Sequence, residues 1–166
     1  MAASATPADL FAQLVTLGIQ VDVIEHPAAF TVEDLAPHVA HLPGVNVKNL
    51  FLCDAKKRMW LVVAPCERRI DLKTLTDRIG SARLSFGSAD RLQRVLGVSP
   101  GSVCPFAVIN DPHQTVQVIL DDWMMTQGFI NAHPLINTMT VTIAADDLRR
   151  FFTACGHRPR TVALDP

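Results

Sequence analysis

The punctuation of the helices constrains this chain most. Thr6 is placed to cap a helix, with Pro7 in the first helical position and Asp9 three residues after the cap. Leu10, Phe11, Leu14 and Leu17 then share one face, and Gly18 ends the run. Thr31 repeats the pattern in T-V-E-D and opens a short helix toward His38. Asp71 and Ser88 cap two more helices, closed by Gly80 and Gly97. A last amphipathic helix turns Leu148, Phe151, Phe152 and Cys155 inward and stops at Gly156. Its acidic opening, Asp146-Asp147, suits the helix macrodipole and calls for no catalytic role.

The remaining apolar runs read as strands: 20–25, 47–53 and 59–64, the last two joined through D-A-K-K-R as a hairpin. Further strands are expected at 106–109, 115–120, 127–131 and 138–143. Strands and helices are grouped rather than strictly alternating. That argues for one α+β domain over residues 1–166 around a mixed sheet, with enough chain to bury a core. Only the first few residues and the last six read as a tail. The start, M-A-A-S-A-T-P, lacks the pattern of a secretory signal. No apolar run approaches the ~20 residues that cross a bilayer. Cys53, Cys66, Cys104 and Cys155 stand far apart with no C-x-x-C, as expected of reduced, mostly buried thiols in a soluble cytoplasmic protein.

The net charge of −1 conceals an asymmetry. Residues 1–44 carry −5, residues 45–94 carry +6, and residues 95–166 carry −2. The basic middle third fits a polyanion, although solvated helix faces would look the same. Within it lies Lys48, in V-N-V-K-N-L-F-L, a lysine beside Asn49 at the start of an apolar strand and well placed to meet an anion. Downstream, G-S-V-C-P (Gly101, Ser102, Val103, Cys104, Pro105) can present bare backbone N–H groups to a carbonyl oxygen. N-A-H-P then supplies an imidazole at His133, ahead of Pro134. Together these residues outline a pocket for a short, charged acyl ester.

Other chemistries lack their parts. His38-x-x-His41 has a chelating spacing, but Pro37 and Pro43 bracket it and no further ligand adjoins it, so no metal is expected. Asp121-Asp122 fits a turn cap better than a magnesium site. There is no G-x-S-x-G, no phosphate-cradling G-x-x-x-x-G-K-[ST], and no base beside Ser102 or Cys104 in sequence. Tyr is absent and aromatics are 6%, which weakens any stacking platform for single strands. Chemistry must then come from positioning, electrostatics and water, with no cofactor.

Several ordered motifs resemble the YbaK/prolyl-tRNA-synthetase-associated editing domain family over nearly the whole chain. They are L-G-I-Q-V-D-V-I-E-H-P-A-A-F-T-V-E, V-K-N-L-F-L, L-S-F-G-S, L-G-V-S-P-G-S-V-C-P-F and H-P-L-I-N-T-M-T. The nearest likeness is to its free-standing branch (ProXp-ala, PrdX-like), which clears alanine mischarged onto proline tRNA. The resemblance implies a mixed sheet partly rolled into a barrel and flanked by helices. It also implies a hydrolase for the aminoacyl ester, partnered by the alanine-charged acceptor end of tRNA(Pro), with prolyl-tRNA synthetase a further candidate partner. Neither a membrane nor DNA is expected.

Residue by residue, the resemblance makes Lys48 the charge that holds the terminal phosphate or ribose region. Backbone N–H groups near Gly101 and Ser102 would hold the ester carbonyl, with Val103 and Pro105 in the same loop. His133 would orient substrate or water, a structural histidine being the plainer alternative. Asn49 would fix the ribose or the Lys48 geometry, or merely cap a turn. Rival readings are a deacylase for cysteine or another small amino acid on the same tRNA, a catalytically idle tRNA- or synthetase-binding module, and an unrelated esterase.

Overall fold

A computed structural model describes residues 3–165 of the chain. In chain order its elements are α1 (Pro7–Thr16), β1 (Asp22–Glu25), α2 (Val32–Val39), β2 (Val45–Asp54), β3 (Met59–Pro65), α3 (Leu72–Ile79) and β4 (Leu84–Phe86). There follow α4 (Ala89–Leu96), β5 (Val116–Asp121), β6 (Phe129–Ala132), β7 (Met139–Ala144), α5 (Ala145–Ala154) and β8 (Arg160–Val162). The caps act as their chemistry dictates. Thr6 and Asp9 form a reciprocal capping box, while Thr31, Asp71 and Ser88 each accept the backbone N–H three residues on. Gly80 and Gly97 end α3 and α4 in the left-handed conformation that glycine reaches without a Cβ penalty.

The strands form one mixed sheet in the order β1-β7-β6-β2-β3-β5-β8, with β4 on β2. Its end strands do not pair with each other among the described residues, so the sheet is not closed into a barrel. Period-2 alternation sends β3 into two cores. Leu61 and Val63 face a large core shared with α1, α4 and α5, whereas Trp60, Val62 and Ala64 face a smaller one against Leu75 and Ile79 of α3.

One irregularity matters for function. Along one edge β2 runs antiparallel to β3 from Val47 to Cys53. Along its other edge Val45 and Asn46 pair with β6, and Leu52 to Asp54 pair with β4. Between those two partners the sheet parts, and Lys48 and Asn49 sit at the parting.

Two expectations need correcting. Residues 106–109 are not a strand: Pro105–Asn110 is a run of 3-10 helix with Phe106, Ala107 and Val108 fully buried. A short apolar run fits a buried strand or a buried turn equally well, and Pro105 in the first helical position tips it to the turn. Nor are the last residues a loose tail. β8 pairs in parallel with β5, and Leu164 is buried in the smaller core.

Candidate active site

His133 follows directly on β6, half-buried in a row of imidazoles. His26 stacks on His38 at 5.6 Å between ring centroids and lies 6.0 Å from His133. The Nδ1 of His133 donates to the carbonyl oxygen of Met139 at 2.9 Å, since a carbonyl can only accept. The neutral ring therefore keeps its Nε2 lone pair free to accept a proton or a hydrogen bond. Burial pushes the His133 pKa below the usual histidine value, opposed by the Met139 bond, and the neighbouring His26 pushes the same way as burial.

The segment after His133 ties this row to the glycine loop. Ala29 and Asn137 exchange hydrogen bonds at 3.3 Å, and the backbone of Leu135 reaches the Cys104 thiol. Gly101 lies against the ring of Phe30: a Cβ on Gly101 would meet that ring at 3.0 and 3.3 Å and Asn137 Nδ2 at 3.4 Å. Its φ is not in the left-handed region. Glycine is needed here for close approach rather than for a special backbone angle.

Ser102 is a partial correction. Its backbone N–H is committed to the Ser99 carbonyl at 2.9 Å inside the 3-10 turn Pro100–Ser102, so it is not a bare donor. Of the two N–H groups first considered for the ester carbonyl, Gly101 remains. Val103 is half-buried and packs on the large core, and Pro105 is buried as the start of the next turn. Cys104 is fully buried and its thiol pKa is pushed up to about 12, chiefly by burial, which leaves it inert at neutral pH. All four cysteines are free.

Lys48 occupies another wall. Its Nζ donates to the carbonyl oxygen of Arg68, beside Cys66, and burial lowers its pKa while Cys66 acts to raise it. Among the described residues it makes no hydrogen bond to Gly101 or His133. Helix α2 links the two walls. Its His38 stacks on His26, while its Val32, Leu35, Ala36 and Val39 line a cleft of about 280 Å³ whose far side includes Asn46, Cys66 and Trp123. Asn49 pairs with Val63 next to Lys48, and its Oδ1 is buried without a partner among the described residues, a costly state for an acceptor.

Two features escaped the sequence reading. One is the apolar face of α2, to which the sequence reading gave no role and which walls the cleft. The second is the anchoring of Trp123. Asp121 does serve a turn, accepting the Met124 N–H at 2.8 Å, but it also clamps Arg68 at 3.1 Å. No group of three His, Cys, Asp or Glu side chains is arranged for a metal among the described residues, and no helix is long and apolar enough to cross a membrane.

The open mixed sheet thus parts at Lys48, and helix α2 runs from the histidine row beside the glycine loop to an apolar cleft. The aminoacyl-tRNA editing domain family matches residues 26–151, and the chain belongs to that family. The prolyl-tRNA editing protein ProX of Acetoanaerobium sticklandii is 40% identical over 156 residues, covering 93% of this chain and 95% of that protein. Prolyl-tRNA synthetase associated domain-containing protein 1 of Danio rerio is 37% identical over 169 residues, covering 98% and 92%. The solved structure of a candidate trans-editing enzyme for prolyl tRNA synthetase superposes with a TM-score of 0.70 over 96% of this chain and 98% of its own. At 21% identity that likeness speaks to the fold. Editing is hydrolysis of the ester between amino acid and terminal ribose, so the family makes this chain a hydrolase of aminoacyl-tRNA.

Proposed function

We propose that the whole chain acts as one domain that edits in trans in the cytoplasm, hydrolysing alanine from mischarged tRNA(Pro). The observation that carries this reading is the α2 cleft. It is walled by Val32, Leu35, Val39 and Val45, and its rim residue Cys66 adjoins Lys48. Apolar walls beside a cation suit a small apolar side chain esterified to a nucleotide. A site made for proline rejects smaller amino acids weakly, because a methylene is worth only about 1–3 kcal/mol. A second, narrower pocket removes what slips through, and it spares prolyl-tRNA by size.

In the reaction, water adds to the ester carbonyl, and collapse of the tetrahedral intermediate returns the free amino acid and the ribose hydroxyl. Lys48 leaves the Arg68 carbonyl to hold the terminal phosphate or ribose. The Gly101 N–H stabilises the oxyanion, a contribution of roughly 2.7–4 kcal/mol for one such donor in other hydrolases. His133, neutral and with Nε2 free, orients the substrate or the water. Glu67 is the one carboxylate lining the cleft among the described residues, and the neighbouring ribose hydroxyl activates the water. Asn49 Oδ1 gains a partner when the substrate brings a donor.

The test is a panel of tRNA(Pro) charged with alanine, cysteine, serine or proline, incubated with substoichiometric protein. Multiple turnovers with alanine fastest are expected. Binding without turnover would leave an idle module, and cysteine fastest would move the preference within the same activity.

A further inference from the structure

We infer that Trp123 is the stacking platform for the terminal base of the acceptor end, seating the nucleotide whose ribose carries the ester. This rests on the deacylase reading and adds to it the residue that grips the base.

Trp123 is one of only two tryptophans and is 49% exposed, whereas Trp60 is buried in the smaller core. An exposed indole on a loop is ordinarily mobile, but here the loop is pinned through its backbone and the ring is braced by a cation. The Trp123 backbone N–H donates to Asp122 Oδ1 at 2.7 Å, and its backbone carbonyl accepts from the Thr126 backbone at 3.0 Å and hydroxyl at 2.7 Å. The Arg68 guanidinium lies 5.7 Å from the ring centroid and is itself clamped by the fully buried Asp121. A pre-set aromatic face loses little freedom when a base lands on it.

Its place in the site identifies the occupant. Trp123 lines the α2 cleft and also a neighbouring cleft of about 450 Å³, so it stands at the rim they share. Arg68 joins this rim to Lys48: its carbonyl holds the Lys48 ammonium while its guanidinium braces the indole. A base on Trp123 therefore places its own ribose near both Lys48 and the acyl cleft. The rim charge selects a base over a phosphate. Glu67, Asp122 and Asp165 surround the larger cleft against the single cation Arg68, which repels a phosphate but accepts hydrogen bonds from the exocyclic amine of adenine. One aromatic is enough for one base, so the scarcity of aromatics along the chain does not stand against this platform.

The experiment titrates the full-length protein against a dye-labelled, uncharged RNA hairpin that copies the tRNA(Pro) acceptor stem and ends in single-stranded ACCA, reading affinity from the anisotropy of the dye and the state of Trp123 from tryptophan fluorescence. The same hairpin without its terminal adenosine is the control. Quenching by the full hairpin is expected, with weaker binding when the adenosine is missing. Trp123→Ala should weaken binding of the full hairpin by about 5- to 150-fold and abolish the quenching, and Trp123→Phe should keep most of the affinity. With alanyl-tRNA the loss in Trp123→Ala should fall on KM, leaving the order of amino acids unchanged. Wild-type affinity in Trp123→Ala, or an equal loss of affinity on the hairpin lacking the adenosine, overturns the platform while leaving the deacylase reading intact. A wild-type protein that hydrolyses no mischarged tRNA overturns both.

Discussion

Lys48 holds its ammonium group against a backbone carbonyl in a half-buried position, where burial already favours losing the charge. Such a lysine adds little to the core, and its cost is recovered only when an anion arrives. Lys48→Ala should therefore nearly abolish deacylation while moving stability by under about 1 kcal/mol, checked by initial rates alongside denaturant midpoints. His133 gives a pH signature. Its folded pKa lies below the unfolded value of about 6.5, because burial disfavours the imidazolium. Between those two values the unfolded chain binds a proton that the native one does not, so stability rises with pH across that window. It is fully present above about 6.5 and is lost as pH falls through the lower folded value. Denaturant midpoints measured from pH 5 to 7.5 should show this slope in the wild-type protein and a shallower one in His133→Asn. Lys48, Gly101 and His133 stand out in the sequence because each is an odd residue for its setting, and their catalytic roles belong to the proposal above. The commitment of the Ser102 N–H was not, since it depends on a turn that only the packed loop displays.

Helix α2 is where an element does what no single residue announces. Val32, Leu35 and Val39 recur at helical spacing, which in a sequence reads as a face for the core, yet here they wall a cleft. Periodicity tells which face is apolar but not what covers it. Leu35→Ala should widen the cleft and relax its size limit, raising hydrolysis of larger aminoacyl groups relative to alanine by roughly 10- to 200-fold, the range of one methylene in an apolar pocket. Competition between alanyl- and valyl-charged tRNA(Pro) measures this directly. The strands were legible where the apolar run was long, as in β3 with its two buried faces. They were not where pairing is supplied by a distant strand: β4 and β8 are three residues each and owe their existence to β2 and β5. The parting of the sheet at Lys48 belongs to the same class, because register between distant strands leaves no local trace.

Across the whole molecule the charge asymmetry resolves into places. Lys57, Arg91 and Arg94 line a shallow groove with Met59 and Val95 at the hairpin end of β2, roughly 20 Å of strand away from Lys48. Arg58, by contrast, is spent on Asp54 and lies over Trp60. In the reading proposed above, this groove meets the stem backbone while the site holds the single-stranded end. Reversing Lys57, Arg91 and Arg94 to glutamate should raise KM for alanyl-tRNA and flatten its salt dependence, without changing which amino acid is removed. A parallel salt series on the wild-type and reversed proteins reads this out. The central claim is that the chain clears a wrong amino acid from proline tRNA while sparing the right one. Its most direct test is the ratio of deacylation rates on alanyl-tRNA(Pro) and prolyl-tRNA(Pro) at equal enzyme and salt. Fast loss of alanine with proline left in place is the predicted result, and equal cleavage of both would contradict it, because such an enzyme would destroy the product it protects.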